Sequence, residues 1–321
     1  MIRRMKNVIV LGGTGFVGRH VCEKLVRAGW KVTVPTRRRS NAQAIQHLPG
    51  LSVVEVNVHD AQALADAVQG HTALVNLVAI LHGTLAGFER VHVALAHSIA
   101  QACATAGVKQ VVHVSALGAD ALQPQALPSM YLRTKSGGEA VLMQSAQGAG
   151  AGAAGQIGFD LSILRPSVIF GAGDKFLTVF AKLQMLVPVL PLAGAGARFQ
   201  PVWVQDVAQA VERCLAGAGA DASPRIIEAV GPEVFTLKQL VQIAAQCAGV
   251  GGGLGRPVIA LPDWVARVQA TLMSLAPGEP VLTHDNLDSM KVDNVATGRV
   301  PGLTTLGITP AALQPIAREY L

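Results

Sequence analysis

Charged residues are scarce, at 14% of the 321-residue chain, and aromatic residues scarcer still, at 4%. With so few large rings, the core has to be assembled from Ala, Val and Leu, which suits many short strands and helices in close contact. Half of the residues are apolar, which is enough to bury one large core or two modest ones and excludes a disordered chain. The 26 basic residues outnumber the 20 acidic ones, a net charge of +6, but only Arg3-Arg4-Lys6 and Arg37-Arg38-Arg39 form clusters. No basic helix interleaved with aromatics follows either cluster, so nucleic acid is not an expected partner.

Cysteines are few and far apart. Cys22, Cys103, Cys214 and Cys247 form no C-x-x-C pair and read as reduced core thiols. His92, His97 and His113 lack i, i+4 spacing and the H-E-x-x-H pattern, so they read as helix-face or core residues and no metal is expected. Uninterrupted apolar runs of about 20 residues are also missing. The nearest stretch, Phe176 to Ala195, is broken by Lys182, Gln184, Pro188 and Pro191, although it suits a bilayer surface or a greasy ligand. The basic first residues imitate a secretion signal, but no small-residue cleavage site follows, and the apolar run behind them reads as a strand. Together these features predict a cytoplasmic protein, with the inner face of a membrane as the alternative location.

That apolar run, Val8 to Leu11, leads into Gly12-Gly13-Thr14-Gly15-Phe16-Val17-Gly18. Glycines at Gly12, Gly15 and Gly18 permit a tight turn, close approach of backbone amides to a pyrophosphate, and close packing of the following helix. The helix beginning near Gly15 carries Val17, Val21, Leu25 and Val26 on one face and aims its free N–H groups at the phosphates. Thr14, Phe16 and Val17 complete the predicted cradle of a dinucleotide. A second strand follows at Lys31 to Val34, and where an acid would hold the ribose 2′-hydroxyl of NAD the chain has Thr36 and then the arginines. Arg37 and Arg38 therefore predict NADP(H) as the preferred cofactor, with NAD(H) as the weaker alternative.

Further strand and helix patterns alternate along the chain. Leu51 to Val56 read as a third strand, and Asp60 as the cap of a helix over Ala61 to Val68. Asn57 and Val58 are expected to meet the adenine. Leu74 to Ile80 read as a fourth strand that leaves Ala79 near the pyrophosphate, and a long helix covers Phe88 to Ala106. Val111 to Ser115 form a fifth strand and Asp160 to Leu164 a sixth, after a glycine/alanine-rich loop at 147–158. Pro166 is placed at the nicotinamide end. The expected class is α/β, a doubly wound parallel Rossmann-type sheet of about seven strands with a smaller C-terminal lobe. Residues 1–170, completed by about 204–231, form the sheet domain; 171–203 and 232–321 form the lobe. In the lobe region, Ala197 to Trp203 read as one strand and Asp206 as the cap of a helix over Val207 to Leu215.

Tyr131 and Lys135 stand four apart on one helix face. An ammonium beside a phenol favours the phenolate, so the pair suits proton exchange with a substrate oxygen while a nicotinamide exchanges hydride with the neighbouring carbon. With Ser115 they form the expected catalytic set.

Taken together, Gly12 to Gly18, Val112 to Ala119, Tyr131 with Lys135, Leu164 to Asp174 and Phe199 to Ala208 resemble the extended and atypical short-chain dehydrogenases/reductases. The last two segments, with Leu306 to Pro310 and Tyr320-Leu321, are similar to the nucleotide-binding accessory subunits of respiratory complex I and their bacterial relatives. This resemblance covers essentially the whole chain. It implies an oxidoreductase or epimerase-like enzyme, or a non-catalytic protein holding NADPH as a structural ligand beside a respiratory complex or quinone metabolism. One departure stands out: the hydroxyl that polarises the substrate carbonyl in catalytic members falls at Leu117. The lack of charge from Leu186 to Ala197 predicts an apolar, quinone- or isoprenoid-type small molecule.

Overall fold

Alternation within the first apolar run sets the layers. In the computed structural model, which describes residues 6–147, 158–217, 223–274 and 282–321, β1 (Asn7–Leu11) sends Val8 and Val10 to one face of a sheet and Ile9 and Leu11 to the other. All four are fully buried, each contributing on the order of 2 kcal/mol. A strand covered on both faces belongs in the middle of a parallel sheet. The glycine turn leads into α1 (Phe16–Arg27), which closes at Ala28 with Gly29 at a φ of +82°. Next come β2 (Lys31–Thr36), β3 (Leu51–Glu55), α2 (Ala61–Val68) and β4 (Ala73–Asn76). As expected, Asp60 caps α2, accepting from the amides of Gln62 and Ala63.

After β4 the chain forms a helical rod of three parts: α3 (Leu85–Phe88), a π-helical stretch (Glu89–Ala94) and α4 (Leu95–Ala106), stopped by Gly107 at a φ of +68°. Then follow β5 (Gln110–Val114), α5 (Met130–Gln147) and β6 (Asp160–Pro166). The expected glycine/alanine loop falls almost wholly outside the described residues. Beyond it lie β7 (Ile169–Phe170), α6 (Leu177–Leu186), β8 (Leu190–Leu192), β9 (Arg198–Phe199), β10 (Val202–Trp203), α7 (Val204–Leu215) and β11 (Arg225–Ala229). The chain finishes through β12 (Phe235–Thr236), α8 (Leu237–Cys247), β13 (Val258–Ala260), α9 (Asp263–Ser274), α10 (His284–Ser289) and α11 (Leu313–Tyr320).

Seven strands pair in the order β11-β6-β5-β4-β1-β2-β3, every pair parallel. The order turns back between β1 and β4, and the crevice outside the carboxyl ends of strands at such a point is where open α/β sheets take ligands. Val21 and Leu25 of α1 with Val207 and Val211 of α7 cover one face. Leu64 of α2, Ile99 and Cys103 of α4 and Leu142 of α5 cover the other. A separate core, with Phe170, Leu177, Leu240 and Leu313, joins α6, α8 and α11 in a smaller C-terminal lobe. Among the described residues no helix is long and apolar enough to cross a membrane.

Three local expectations need correction. β4 ends at Asn76 rather than Ile80, because the Asn76 side chain accepts the amide of Val78 and turns the chain, which leaves Ala79 in an exposed loop. The strand expected over Ala197 to Trp203 breaks into β9 and β10 at Gln200-Pro201, where proline lacks a ladder donor and the Gln200 side chain donates to the Gly231 carbonyl. Asp206 does not cap α7, which begins at Val204; its carboxylate instead accepts the amide of Ala311 at 2.8 Å and ties α7 to the approach of α11.

Candidate functional site

The turn between β1 and α1 is shaped by what it lies against. Gly12 holds a φ of +80°, and a Cβ there would come within 3.1 Å of the Leu77 carbonyl carbon, at the exit of β4. Gly13 faces the Val34 methyls, which a Cβ would meet at 2.9 Å, and Gly18 packs so closely on the turn that its Cβ would lie 2.6 Å from Gly13 Cα. Gly15 is exposed at the mouth, in extended backbone, and supplies no side-chain cap to α1. Thr14, Phe16 and Val17 are partly exposed around it. The amides of Phe16 and Val17 thus head a twelve-residue helix with no side chain folded over them. An uncapped positive helix end behind a side-chain-free turn fits a diphosphate.

At the end of β2, Thr36 is buried and its hydroxyl donates to the Arg38 carbonyl at 3.1 Å, fixing the turn from which Arg37 and Arg38 project, both exposed. Burial lowers the pKa of His59, and the Arg90 and Arg37 guanidiniums lower it further. These cations therefore share the edge beyond β2 and β3. Asn57 accepts the His59 amide at 3.2 Å, and Val58 packs against the core under α2 and α4.

The sheet brings Ser115 and Lys135 together at the carboxyl end of β5, with Tyr131 one turn before Lys135 on α5. Lys135 is almost fully buried and its Nζ donates to the Val114 carbonyl at 2.7 Å, directly before Ser115. The buried Ser115 hydroxyl has no hydrogen-bond partner among the described residues, an orphaned polar atom that a ligand amide would satisfy. Burial lowers the pKa of Lys135 to about 8, against the opposing pull of Glu139. Tyr131 runs opposite to expectation. Its phenol is pushed up to about 12 by burial rather than drawn down by the ammonium, because it stands between the rings of Phe88 (6.3 Å) and His92 (5.6 Å). Leu117 is buried, and Pro166, the last residue of β6, accepts its amide at 2.9 Å.

His92 and His113 are core residues, as their spacing suggested, but the hydrogen bonds they make and the buried Asn76, Glu139 and Asp285 escaped the sequence reading. His92 lies in the π-helical stretch, where its Nε2 accepts the Ile80 amide at 3.3 Å; the ring proton must then sit on Nδ1, which donates to Thr134 Oγ1 at 2.9 Å. Thr134 donates in turn to the Met130 carbonyl. Burial, assisted by Lys135, drives the His92 pKa down to about 3. Asn76 donates to His113 Nδ1 at 3.1 Å, and Arg165 reaches Glu139 with its Nε at 3.0 Å and its second nitrogen alongside. Glu139 follows Tyr131 and Lys135 at the same four-residue step, a signal present in the sequence. Asp285 accepts the amides of Met130 and Tyr131 from α10, and no local pattern marks it.

Comparison with known proteins bears on this site. A family described as NAD(P)H-binding matches residues 12–169. The mouse mitochondrial NADH dehydrogenase (ubiquinone) 1 alpha subcomplex subunit 9 is 31% identical over 97% of this chain and 78% of its own length. The mitochondrial NADH-ubiquinone oxidoreductase 40 kDa subunit of Neurospora crassa is 26% identical over the same shares. Among solved structures, MoeE5 in complex with UDP-glucuronic acid and NAD superposes with a TM-score of 0.67 at 18% identity, over 98% of this chain and 97% of that one.

Proposed function

The chain belongs to the NAD(P)H-binding, extended short-chain dehydrogenase/reductase-like family that includes these respiratory subunits, and from that premise we propose that it holds NADP(H) as a resident ligand rather than a turnover cofactor. The observation that carries the reading is a side-chain-free phosphate cradle joined to a strand end where Leu117 stands in the place of the polarising hydroxyl. Phe16 and Val17 would hold the diphosphate through their amides, and Arg37 and Arg38 would select the 2′-phosphate, with NAD(H) bound more weakly. Asn57 and Val58 would border the adenine, Ala79 and Pro166 the opposite end, and Ser115 the nicotinamide amide.

Kinship with subunits of a respiratory enzyme supports association with a membrane-bound respiratory complex or with quinone metabolism. So does α9, which exposes Trp264, Val268 and Leu272 at four-residue spacing, an apolar stripe suited to a membrane-side partner. The test is to purify the protein, measure NADPH retention, and assay NADPH oxidation across carbonyl and quinone substrates in wild type and Tyr131→Phe. Retention without turnover, unchanged by the substitution, supports the reading; substrate-dependent oxidation abolished by Tyr131→Phe overturns it.

A second reading is favoured by Lys135 reaching the strand end beside the orphaned Ser115 hydroxyl, with Tyr131 one turn away on α5. Here the chain is an oxidoreductase or epimerase-like enzyme on an apolar or quinone/isoprenoid-type substrate. Bound NADPH supplies the hydride chemistry. Tyr131, protonated at neutral pH, gives its proton to the substrate oxygen, and Lys135 steadies the phenolate left behind.

A further inference from the structure

The first turn of α5 has two caps where helices ordinarily have one. The local cap is conventional: Ser129 Oγ accepts the amide of Leu132 at 3.2 Å. The other comes from 155 residues away. Asp285 Oδ1 accepts the Met130 amide at 2.6 Å and Oδ2 accepts the Tyr131 amide at 3.1 Å. Its side chain is buried, and α10, which carries it, is fixed by a reciprocal capping box between Thr283 and Asn286. One turn further along α10, Asp288 pairs with Arg267 of α9 and with Lys291, which braces the helix that carries the carboxylate. One carboxylate of the small lobe thus spans the two amides that begin the Tyr131 helix.

We propose that Asp285 is a positioning residue, fastening the small lobe to the first turn of α5 and so fixing where Tyr131 stands. A carboxylate placed there answers the positive end of α5 and holds Tyr131 in the buried position that raises the pKa of its phenol. The ionisable groups on the elements packed around Tyr131 are His92 of the π-helical stretch, whose ring meets the Tyr131 ring at 5.6 Å, Asp285 of α10, which holds the Tyr131 backbone amide, and Lys135 one turn along α5. Arg133, on the same turn, is directed elsewhere, to the Leu127 carbonyl. The consequence for nucleotide retention rests on the dinucleotide reading above, whereas the positioning of Tyr131 does not.

The sequence holds two tyrosines, so a Tyr320→Phe background leaves Tyr131 as the only phenol to titrate. In that full-length background, Asp285→Ala and Asp285→Asn are compared by amide exchange at Met130 and Tyr131 and by ultraviolet titration of the phenol, both without nucleotide. NADPH dissociation is then followed separately. With Asp285→Ala, exchange at the two amides rises on the order of tenfold or more, the phenol titrates at lower pH, and NADPH leaves faster. Asp285→Asn, which keeps one acceptor oxygen, falls between. Variants that melt earlier yet keep the exchange rates and phenol midpoint of the parent make Asp285 a structural cap only and overturn the proposal. If Asp285→Ala does not fold, Asp285→Asn decides by the same two readouts. Altered exchange and titration in a protein that fails to bind NADPH would uphold the positioning and remove only the dinucleotide reading.

Discussion

Lys135 donates through Nζ to the Val114 carbonyl at 2.7 Å, which anchors the ammonium to the end of the central sheet, one residue before the orphaned hydroxyl of Ser115. The bond holds a cation in a place where burial lowers its pKa from 10.5 to about 8. The unfolded chain then binds more protons than the folded one between those values, so stability rises as pH climbs from about 8 towards 10.5. Tyr131 acts oppositely: its raised pKa contributes stability present below pH 10 and lost as pH rises towards about 12. Urea unfolding followed across this range should show stability growing and then falling, and Lys135→Met should remove the growth. A Lys135→Met profile parallel to wild type would contradict this.

Acid should weaken the fold for a related reason. The His92 pKa is driven down to about 3, and His113, wholly buried, is held well below its ordinary value, so both are neutral in the folded protein. The unfolded chain takes up protons first as pH falls below 6.5, and stability is lost from there towards about pH 3. His92→Phe should flatten that acid limb while lowering stability at neutral pH by about 1–3 kcal/mol, because the Ile80 amide and Thr134 hydroxyl lose their partner. An acid limb as steep as in wild type would show that His92 is not the group responsible.

Gly18 leaves no room for a methyl group, since its Cβ would fall 2.6 Å from Gly13 Cα. Gly18→Ala must push α1 off the turn, and a loss of about 1–3 kcal/mol is expected with NADPH affinity abolished. Calorimetric titration of a variant that still folds checks this; unchanged affinity would show that the turn does not hold the phosphates. Gly29, whose Cβ would meet nothing within 4 Å but which holds a φ of +82°, supplies the control, with stability altered and binding kept.

Elements with strong local signals were legible in the sequence. The glycine turn and Asp60 capping α2 stand where glycine spacing and capping chemistry place them. Boundaries failed where a side chain overrode the apolar pattern, as Asn76 did at the end of β4 and Gln200-Pro201 between β9 and β10. The π-helical stretch around His92 was invisible because its bulge depends on α5 closing against it, with Gly138 facing the His92 carbonyl oxygen. Of the candidate site, Tyr131 and Lys135 were readable from their spacing together with their place after the fifth strand expected to end in Ser115. Asp285 was not, because its partners lie 154 and 155 residues away.

The arginines after β2 make a sharper prediction. Arg37→Ser with Arg38→Ser should weaken NADPH binding by on the order of 10- to 100-fold through lost charge-assisted bonds to a phosphate, while leaving NADH binding nearly unchanged. Parallel isothermal titrations check it. Equal losses for both nucleotides would place the arginines in general electrostatics, with no role in selecting the 2′-phosphate.

The central claim is that the opening turn and helix keep a dinucleotide in place. The most direct measurement is to denature freshly purified protein, expressed and isolated without added nucleotide, and quantify what is released by mass spectrometry. Equimolar NADP(H) is the result predicted here. Empty protein that also fails to bind added NADPH, or protein loaded with NAD(H) alone, would contradict it.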